Sequence, residues 1–214
     1  MPIMQCQAVL FDLDGVLVDS RRSIELIWHS WAASRGLDTR PFLEVAHGRR
    51  TSETLRLVAP QLDAAAEGAV LDRIEEIATR GLAAAPGAAA LLRRLTEQQW
   101  AVVTSGSSAV ARLRLATVGL PTPHVFITAE DVTRGKPDPA GYLLAAARLG
   151  RAPSDCIVLE DAPPGVAAGK AAGMRVITVL TTHAAAQLEA ADARLAALSS
   201  LRIQPIAAGS RAWS

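Results

Sequence analysis

The stretch VLFDLDGVLVDS, residues 9–20, places two aspartates, Asp12 and Asp14, one residue apart at the end of an apolar run. A short apolar run of this kind is typical of a buried strand. Two carboxylates so close together repel one another, and burying them is costly unless a cation or hydrogen bonds compensate. The stretch therefore raises the question of what neutralises this pair.

Short apolar runs rich in β-branched residues alternate with amphipathic helical patterns. The runs lie at 8–11, 101–103, 125–127, 156–159 and 175–179. Continuous apolar strands separated by helices predict an α/β fold with a Rossmann-like parallel sheet, covered on both faces. One helix carries its own boundary signals, with Asp138 as the predicted N-cap, Pro139 at the first position and Gly150 just past the end.

The region from about residue 20 to residue 82 has helical patterns and no convincing strand. An all-helical block between the first and second strands predicts an inserted helical cap domain. We therefore expect an α/β core domain formed by residues 1–17 and 84–214, and a helical cap domain formed by residues 18–83. Linkers near Val18 and Ala84 would let the cap open and close as a lid. The tail, 205–214, is expected to fray.

Composition excludes several classes of function. The 214 residues include 22 basic and 21 acidic ones, a net charge of +1, so no general basic field is available for nucleic acid. We find neither a signal peptide nor an apolar run near the roughly 20 residues of a membrane span. Cys6 and Cys156 are too few for a disulfide framework. We expect a soluble, cytoplasmic, monomeric protein that binds neither nucleic acid nor membrane.

Polar residues follow four of the predicted strands, where parallel α/β sheets bind their ligands. They are Asp12 and Asp14 after the first strand, Thr104, Ser105 and Gly106 after the second, Lys136 after the third, and Glu160 and Asp161 after the fourth. Carboxylate oxygens are ligands for Mg²⁺, while a hydroxyl, amides and a lysine can hold phosphate oxygens. One leading aspartate could attack phosphorus and the other move a proton. The set predicts a phosphoryl-transfer site.

These motifs resemble those of the haloacid dehalogenase superfamily, in their order DLDGV, TSGS, GKPDP and ED. Within it, HGRRTSETL at 47–55 and EDAPPGVAAG at 160–169 are most similar to sugar-phosphate, hexitol-phosphate and glycerol-phosphate phosphatases of the β-phosphoglucomutase-like group, which carry a helical cap. The resemblance implies a Mg²⁺-dependent phosphatase that hydrolyses a small phosphorylated sugar or polyol through an aspartyl-phosphate.

The same resemblance assigns roles to individual residues. Asp12 is the nucleophile, and Asp14 is the general acid and then the base, with its backbone carbonyl on the metal. Lys136 stabilises charge. Asp161 is a metal ligand, and Glu160 supports the ion directly or through water. The phosphate-binding hydroxyl is Ser105, with the Gly106 amide, or alternatively Thr104.

The cap residues have less specific signals. Arg49, Arg50 and Thr51 are candidates for touching the sugar or the phosphate, although such turns also form plain connections. His47 could face the substrate or pack. Trp28 and Trp31 are expected to be core residues.

The same motifs are compatible with two other reactions and with a binding role. A phosphomutase of the β-phosphoglucomutase type would need a histidine near Ile24, and none is present there. A dehalogenase lacks the second aspartate of the DxD motif and needs no metal. A non-catalytic sugar-phosphate-binding protein would not need the full set of carboxylates and lysine. The phosphatase therefore remains the leading prediction.

Overall fold

The computed structural model describes residues 3–203, so the predicted tail at 205–214 lies outside the described residues. This part of the chain forms eight strands and eight α-helices. The strands are β1 (Ala8–Phe11), β2 (Val18–Asp19), β3 (Ala83–Ala84), β4 (Trp100–Val103), β5 (Val125–Ile127), β6 (Cys156–Glu160), β7 (Arg175–Val179) and β8 (Ala193–Leu195). The helices are α1 (Arg21–Ala33), α2 (Arg40–Ala46), α3 (Thr51–Val58), α4 (Ala64–Glu75), α5 (Ala88–Leu92), α6 (Ser108–Thr117), α7 (Ala140–Arg148) and α8 (Pro163–Ala171).

Six strands form one parallel sheet in the order β5-β4-β1-β6-β7-β8. Side chains of β1 alternate between the two faces of this sheet. Val9 and Phe11 pack into one buried cluster with α5 and α6, while Ala8 and Leu10 pack into the other with α7 and α8. Burial on both faces explains why β1, β4 and β5 are apolar along their whole length. The predicted α/β class and parallel sheet are confirmed.

Two details of the core differ from the sequence prediction. The sheet has a sixth strand, β8, whose three residues Ala-Arg-Leu are too few and too polar to stand out as an apolar run. Helix α7 begins one residue later than predicted, because the backbone places Pro139 at the N-cap position. The Asp138 carboxylate still accepts the Ala140 N–H at 3.0 Å, so it satisfies an otherwise free amide of the first turn.

Helices α1 to α4 build a separate apolar cluster between β2 and β3 in the chain. Trp28 stacks on Phe42 with ring centroids 5.2 Å apart, and Trp31 meets both rings edge-on, so the two tryptophans are core residues as predicted. Strands β2 and β3 pair antiparallel, with Val18 opposite Ala84. This two-stranded ribbon lies at the predicted boundaries between core and cap, and the division at residues 18–83 remains a prediction.

Among the described residues, no helix combines the length and the apolar character that crossing a bilayer requires. Cys156 is buried, Cys6 is partly buried, and both thiols are free.

Candidate active site

The sheet order brings the predicted motifs to one edge. Strand β1 lies between β4 and β6, so the residues that follow these three strands are neighbours. Asp12, directly after β1, donates its backbone N–H to the Leu159 carbonyl, which fixes the loop beside the end of β6. The carboxylates, the Thr104 turn and the lysine therefore meet, although they are far apart in sequence.

Lys136 is the centre of the buried charge network. Its Nζ lies 2.6 Å from Asp12 Oδ1 and 2.6 Å from Glu160 Oε1, and it also donates to the Val103 carbonyl at 3.1 Å. The side chain is almost fully buried. Burial opposes its charge, but Asp12 and Glu160 more than compensate and raise the pKa of Lys136 above its ordinary value. Lys136 therefore stays protonated beside Asp12.

Glu160 has protein donors on both of its oxygens. Oε1 accepts from Lys136 and from the Tyr142 hydroxyl at 2.7 Å, and Oε2 accepts the Asp161 amide at 3.0 Å. A Cβ at Gly165 would lie 1.7 Å from Glu160 Oε1, so only glycine fits where α8 approaches this carboxylate. These contacts favour the indirect role of Glu160, because Oε1 already accepts from Lys136 and Tyr142 and Oε2 already accepts the Asp161 amide.

Tyr142 was not singled out as a functional residue from the sequence, where it is one apolar position of an amphipathic helix. Its ring is buried, and its hydroxyl needs a partner because a buried tyrosine O–H is usually hydrogen-bonded. The carboxylate of Glu160, the last residue of β6, is that partner, so Tyr142 helps to hold Glu160 in position.

Asp12, Glu160 and Asp161 each present a carboxylate oxygen, and the three atoms lie within 4.8 Å of one another. Burial raises the pKa of Asp12 to about 7, with Lys136 acting against the rise and Glu160 adding to it. Burial also holds the pKa of Asp161 well above its ordinary value, and Asp12 and Glu160 raise it further. One lysine thus leaves buried negative charge that a divalent cation with oxygen ligands would neutralise. The donor set fits Mg²⁺.

Two neighbours fix Asp161. The Thr182 hydroxyl donates to Asp161 Oδ2 at 2.6 Å. A Cβ on Gly15, whose φ is +79°, would lie 1.8 Å from the same oxygen, so this carboxylate requires the glycine of DLDG. Supporting contacts of this kind orient the ligands of metal sites.

Asp14 pairs with an arginine that the sequence did not reveal. Arg114, on α6, donates through Nη1 to Asp14 Oδ2 at 2.6 Å and through Nη2 to Glu75 Oε2, in the cap, at 2.9 Å. In the sequence, Arg114 is an ordinary arginine within an amphipathic helix, and its partners are 100 and 39 residues away. Only the fold identifies it.

The turn after β4 gives different roles to its three residues. The Ser105 hydroxyl donates to the Gly48 carbonyl of the cap at 3.0 Å, and the Gly106 amide donates to Thr104 Oγ1 at 3.1 Å. The Thr104 hydroxyl, which accepts that bond, still has its own proton to donate. The contacts therefore do not support the preference for Ser105, and they favour Thr104 as the phosphate-binding hydroxyl.

The cap closes over this edge of the sheet. Arg50 donates to the core carbonyls of Val132 at 2.7 Å and Thr133 at 3.2 Å. Gly48, with φ +79°, lies so close to the core that a Cβ there would be 2.8 Å from the Cβ of Ala162. The HGRRT turn is therefore a cap segment that contacts the core beside the site, and the hydrogen bonds of Arg50 hold it there.

A chamber of about 60 Å³ remains between cap and core. Both parts of the molecule line it. The core contributes Asp12, Asp14, Thr104, Ser105, Gly106 and Arg114. The cap contributes Ile24, Trp28, Ala46, His47, Gly48, Arg49, Thr51, Thr54 and Glu75. The predicted candidates Arg49 and Thr51 both line it. Burial lowers the pKa of His47, and the neighbouring His183 lowers it further.

Comparison with known proteins agrees with the site. Residues 6–173 match the family model described as haloacid dehalogenase-like hydrolase. The chain is 45% identical to hexitol phosphatase A of Escherichia coli, over 94% of this chain and 95% of that protein. It is 36% identical to glycerol-1-phosphate phosphohydrolase 2 of Saccharomyces cerevisiae, over 84% of this chain and 76% of that protein.

A solved structure of a hydrolase from Pseudomonas syringae has the same fold. It superposes with a TM-score of 0.81, covering 90% of this chain and 94% of its own, at 24% identity. The motifs, the sheet order and the sequence matches agree, and the chain belongs to the haloacid dehalogenase-like hydrolase family.

Proposed function

We propose that this protein is a Mg²⁺-dependent phosphoric monoester hydrolase that acts on small phosphorylated polyols or sugars through an aspartyl-phosphate. The observation that carries the proposal is the position of Lys136 Nζ, 2.6 Å from both Asp12 and Glu160 at the carboxyl end of β1. These two carboxylates form a cluster with that of Asp161. The names of the hexitol and glycerol-phosphate relatives support the substrate class.

The chain's own residues supply the nucleophile and the acid and base for the two half-reactions. Lys136 bonds to Oδ1 of Asp12, so Oδ2 is the oxygen left to attack phosphorus. As the new bond forms, the bond from phosphorus to the substrate oxygen breaks, and Asp14 gives its proton to the leaving alkoxide. Asp14 then takes a proton from water, whose oxygen displaces Asp12 from phosphorus. Phosphate leaves, and Asp14 again carries a proton.

Mg²⁺, held by Asp12 and Asp161 with the Asp14 carbonyl, would neutralise charge on the phosphoryl oxygens. Lys136 adds a second positive charge at the same place, and Thr104 can donate a hydrogen bond to a phosphoryl oxygen. Stabilisation of this kind is the main requirement of phosphoryl transfer.

Thr54 supports a hydroxylated leaving group. Its side chain is fully buried, it lines the chamber, and Oγ1 has no hydrogen-bond partner within residues 3–203. Buried hydroxyls are normally satisfied, so a substrate hydroxyl is a suitable partner. Ile24, the position near which a mutase would need histidine, is an apolar wall of the same chamber, which favours the phosphatase over the phosphomutase.

A phosphate-release screen against phosphorylated metabolites tests the proposal. We expect the wild-type protein with Mg²⁺ to hydrolyse phosphorylated polyols and sugars. Asp12→Asn is nearly isosteric and should lower the rate by roughly 10³-fold or more, because it removes the nucleophile. Near-native activity of Asp12→Asn, or isomerisation of glucose 1-phosphate faster than phosphate release, would contradict the proposal.

Thr54→Val is the matched variant for the substrate class, because it keeps the shape of the side chain and removes the hydroxyl. We expect kcat/KM to fall about tenfold for polyol phosphates, which corresponds to the free energy of one hydrogen bond. The fall should be smaller for p-nitrophenyl phosphate, because its leaving group has no free hydroxyl. An equal effect on both substrates would mean that Thr54 does not read a substrate hydroxyl.

A further inference from the structure

A single buried guanidinium joins the cap to the proposed acid/base. Arg114 is 4% exposed and lies between Asp14, in the core loop after β1, and Glu75, the last residue of α4 in the cap. Nη1 donates to Asp14 Oδ2 at 2.6 Å, and Nη2 donates to Glu75 Oε2 at 2.9 Å. We call these three residues the Arg114 bridge.

The bridge is complete only when the cap is closed. Asp14 and Arg114 both belong to the core, whereas Glu75 reaches Arg114 from the cap. If the cap swings away, Glu75 leaves with α4, and one side of the buried guanidinium loses its partner. A buried charge without its partner is unfavourable, so the bridge favours the closed state.

The bridge holds one oxygen of Asp14 and leaves the other available. Arg114 bonds to Oδ2, while Oδ1 is buried without a hydrogen-bond partner in the described part of the chain, and Asp14 lines the chamber. The side chain is therefore fixed through Oδ2, and Oδ1 is the oxygen that the described residues leave without a partner.

The positive charge of Arg114 is maintained by its two partners. Burial acts against the charge of Arg114, but Asp14 and Glu75 raise its pKa above the ordinary value, so it remains a cation. The guanidinium therefore holds Asp14 by charge as well as by the hydrogen bond to Oδ2.

We propose that Arg114 is the positioning residue for Asp14, and that Glu75 makes this positioning depend on closure of the cap. The inference rests on the proposed function for the role of Asp14. It adds Arg114 to the residues on which the reaction depends, and it connects the position of the cap to the position of Asp14.

The two half-reactions respond differently if Asp14 is misplaced. Release of an alkoxide from a polyol phosphate needs the proton of Asp14. Release of p-nitrophenolate does not, because it is a stable anion, but the following attack of water still needs Asp14 as base. Loss of the bridge should therefore let the aspartyl-phosphate form from p-nitrophenyl phosphate and then persist.

Rapid mixing of enzyme with p-nitrophenyl phosphate tests this. In Arg114→Met we expect a burst of about one p-nitrophenol per enzyme, followed by turnover roughly 10²-fold slower than wild type, the low end of general acid–base contributions. Arg112→Met, an exposed position two residues earlier on α6, is the control and should behave as wild type. Arg114→Lys should restore part of the rate because it keeps a cation at Asp14.

Glu75→Gln separates closure from positioning. It keeps Arg114 beside Asp14 and removes the charge that draws the cap in, so we expect a higher KM and no burst. Turnover of Arg114→Met within threefold of wild type, or an equal loss on all substrates without a burst, would overturn the proposal.

Hydrogen exchange of α4 tests the tether independently of turnover. Protection at residues 64–75 should fall in Arg114→Met and Glu75→Gln but not in Arg112→Met, and unchanged protection in the first two would overturn the link to the cap. A wild-type protein that releases phosphate from no substrate would refute the proposed function, while the exchange result would still decide on the bridge.

Discussion

Asp12 is a buried carboxylate whose neighbours determine its chemistry. Lys136 holds Oδ1 at 2.6 Å, which orients the side chain and leaves Oδ2 as the oxygen that we propose attacks phosphorus. Burial raises the pKa of Asp12 most, and the nearby carboxylates of Glu160 and Asp14 raise it further. The pair of aspartates at the start of the sequence is therefore compensated in three ways, by Lys136, by Arg114 and by the proposed cation.

These carboxylates predict a pH-dependent stability of the metal-free protein. The pKa of Asp12 in the fold, about 7, lies above its ordinary 3.8, so the unfolded chain releases this proton first. The stabilising contribution is complete below about pH 4 and is lost as the pH rises through 7. We expect the unfolding temperature in EDTA to fall between pH 5 and pH 8, by about 2–4 °C for each kcal/mol lost in a chain of this size.

Mg²⁺ should reverse that loss, because it binds the ionised carboxylates. Thermal unfolding with and without Mg²⁺ should show a larger stabilisation at pH 8 than at pH 5. Asp161→Asn should remove most of the Mg²⁺ effect. Equal stabilisation at both pH values, or none, would argue against a cation held by Asp12 and Asp161.

The HGRRT turn between α2 and α3 is the cap element that approaches the core most closely. Gly48 takes a positive φ of +79°, and Ala162 lies where its Cβ would go. Gly48→Ala should therefore strain the backbone and also push the cap from the core. We expect kcat/KM to fall roughly tenfold or more, since small displacements of an active-site lid have large effects on rate.

Gly36→Ala is the matched control in the same domain. Gly36 also has a positive φ, +65°, but nothing lies within 4 Å of its Cβ position. Both variants should lose about 1 kcal/mol or more of stability from the backbone, and only Gly48→Ala should lose activity. Similar kinetics in the two variants would show that close approach of the turn is not needed.

The elements that could be predicted are those whose environment is uniform along their length. Strands β1, β4, β5, β6 and β7 are buried on both faces, so each appears as an apolar run. Strand β8 is an edge strand with Arg194 at its centre, and the β2–β3 ribbon has two residues on each side. Elements this short carry no periodicity, and only their pairing partners define them.

The site could be predicted where each residue follows its strand directly, as Asp12, Thr104 and Asp161 do. Arg114, Tyr142 and Glu75 could not, because each lies within a helix and acquires its partner only when distant elements pack. The contact that favours Thr104 over Ser105 could not be predicted either, because the Gly48 carbonyl that accepts the Ser105 hydroxyl lies in the cap.

Both the core and the cap contribute residues to the candidate active site. The core supplies Asp12, Lys136 and Asp161, and the cap supplies the walls of a chamber of about 60 Å³. Within residues 3–203, the polar links that join them include Arg50 to Val132 and Thr133, Ser105 to Gly48, Arg114 to Glu75, and Arg21 to Thr181. We therefore expect the cap to limit the access of bulk water during the proposed first half-reaction, and to open for substrate entry and product release.

Chemical trapping of the intermediate tests the central claim most directly. Asp14→Asn lacks the base for the second half-reaction, so it should accumulate phosphorylated protein when mixed with p-nitrophenyl phosphate and Mg²⁺. After an acid quench, peptide mapping by mass spectrometry should place the phosphoryl group on Asp12. Rapid p-nitrophenol release with no phosphorylated peptide, or with the phosphoryl group on another residue, would contradict the account.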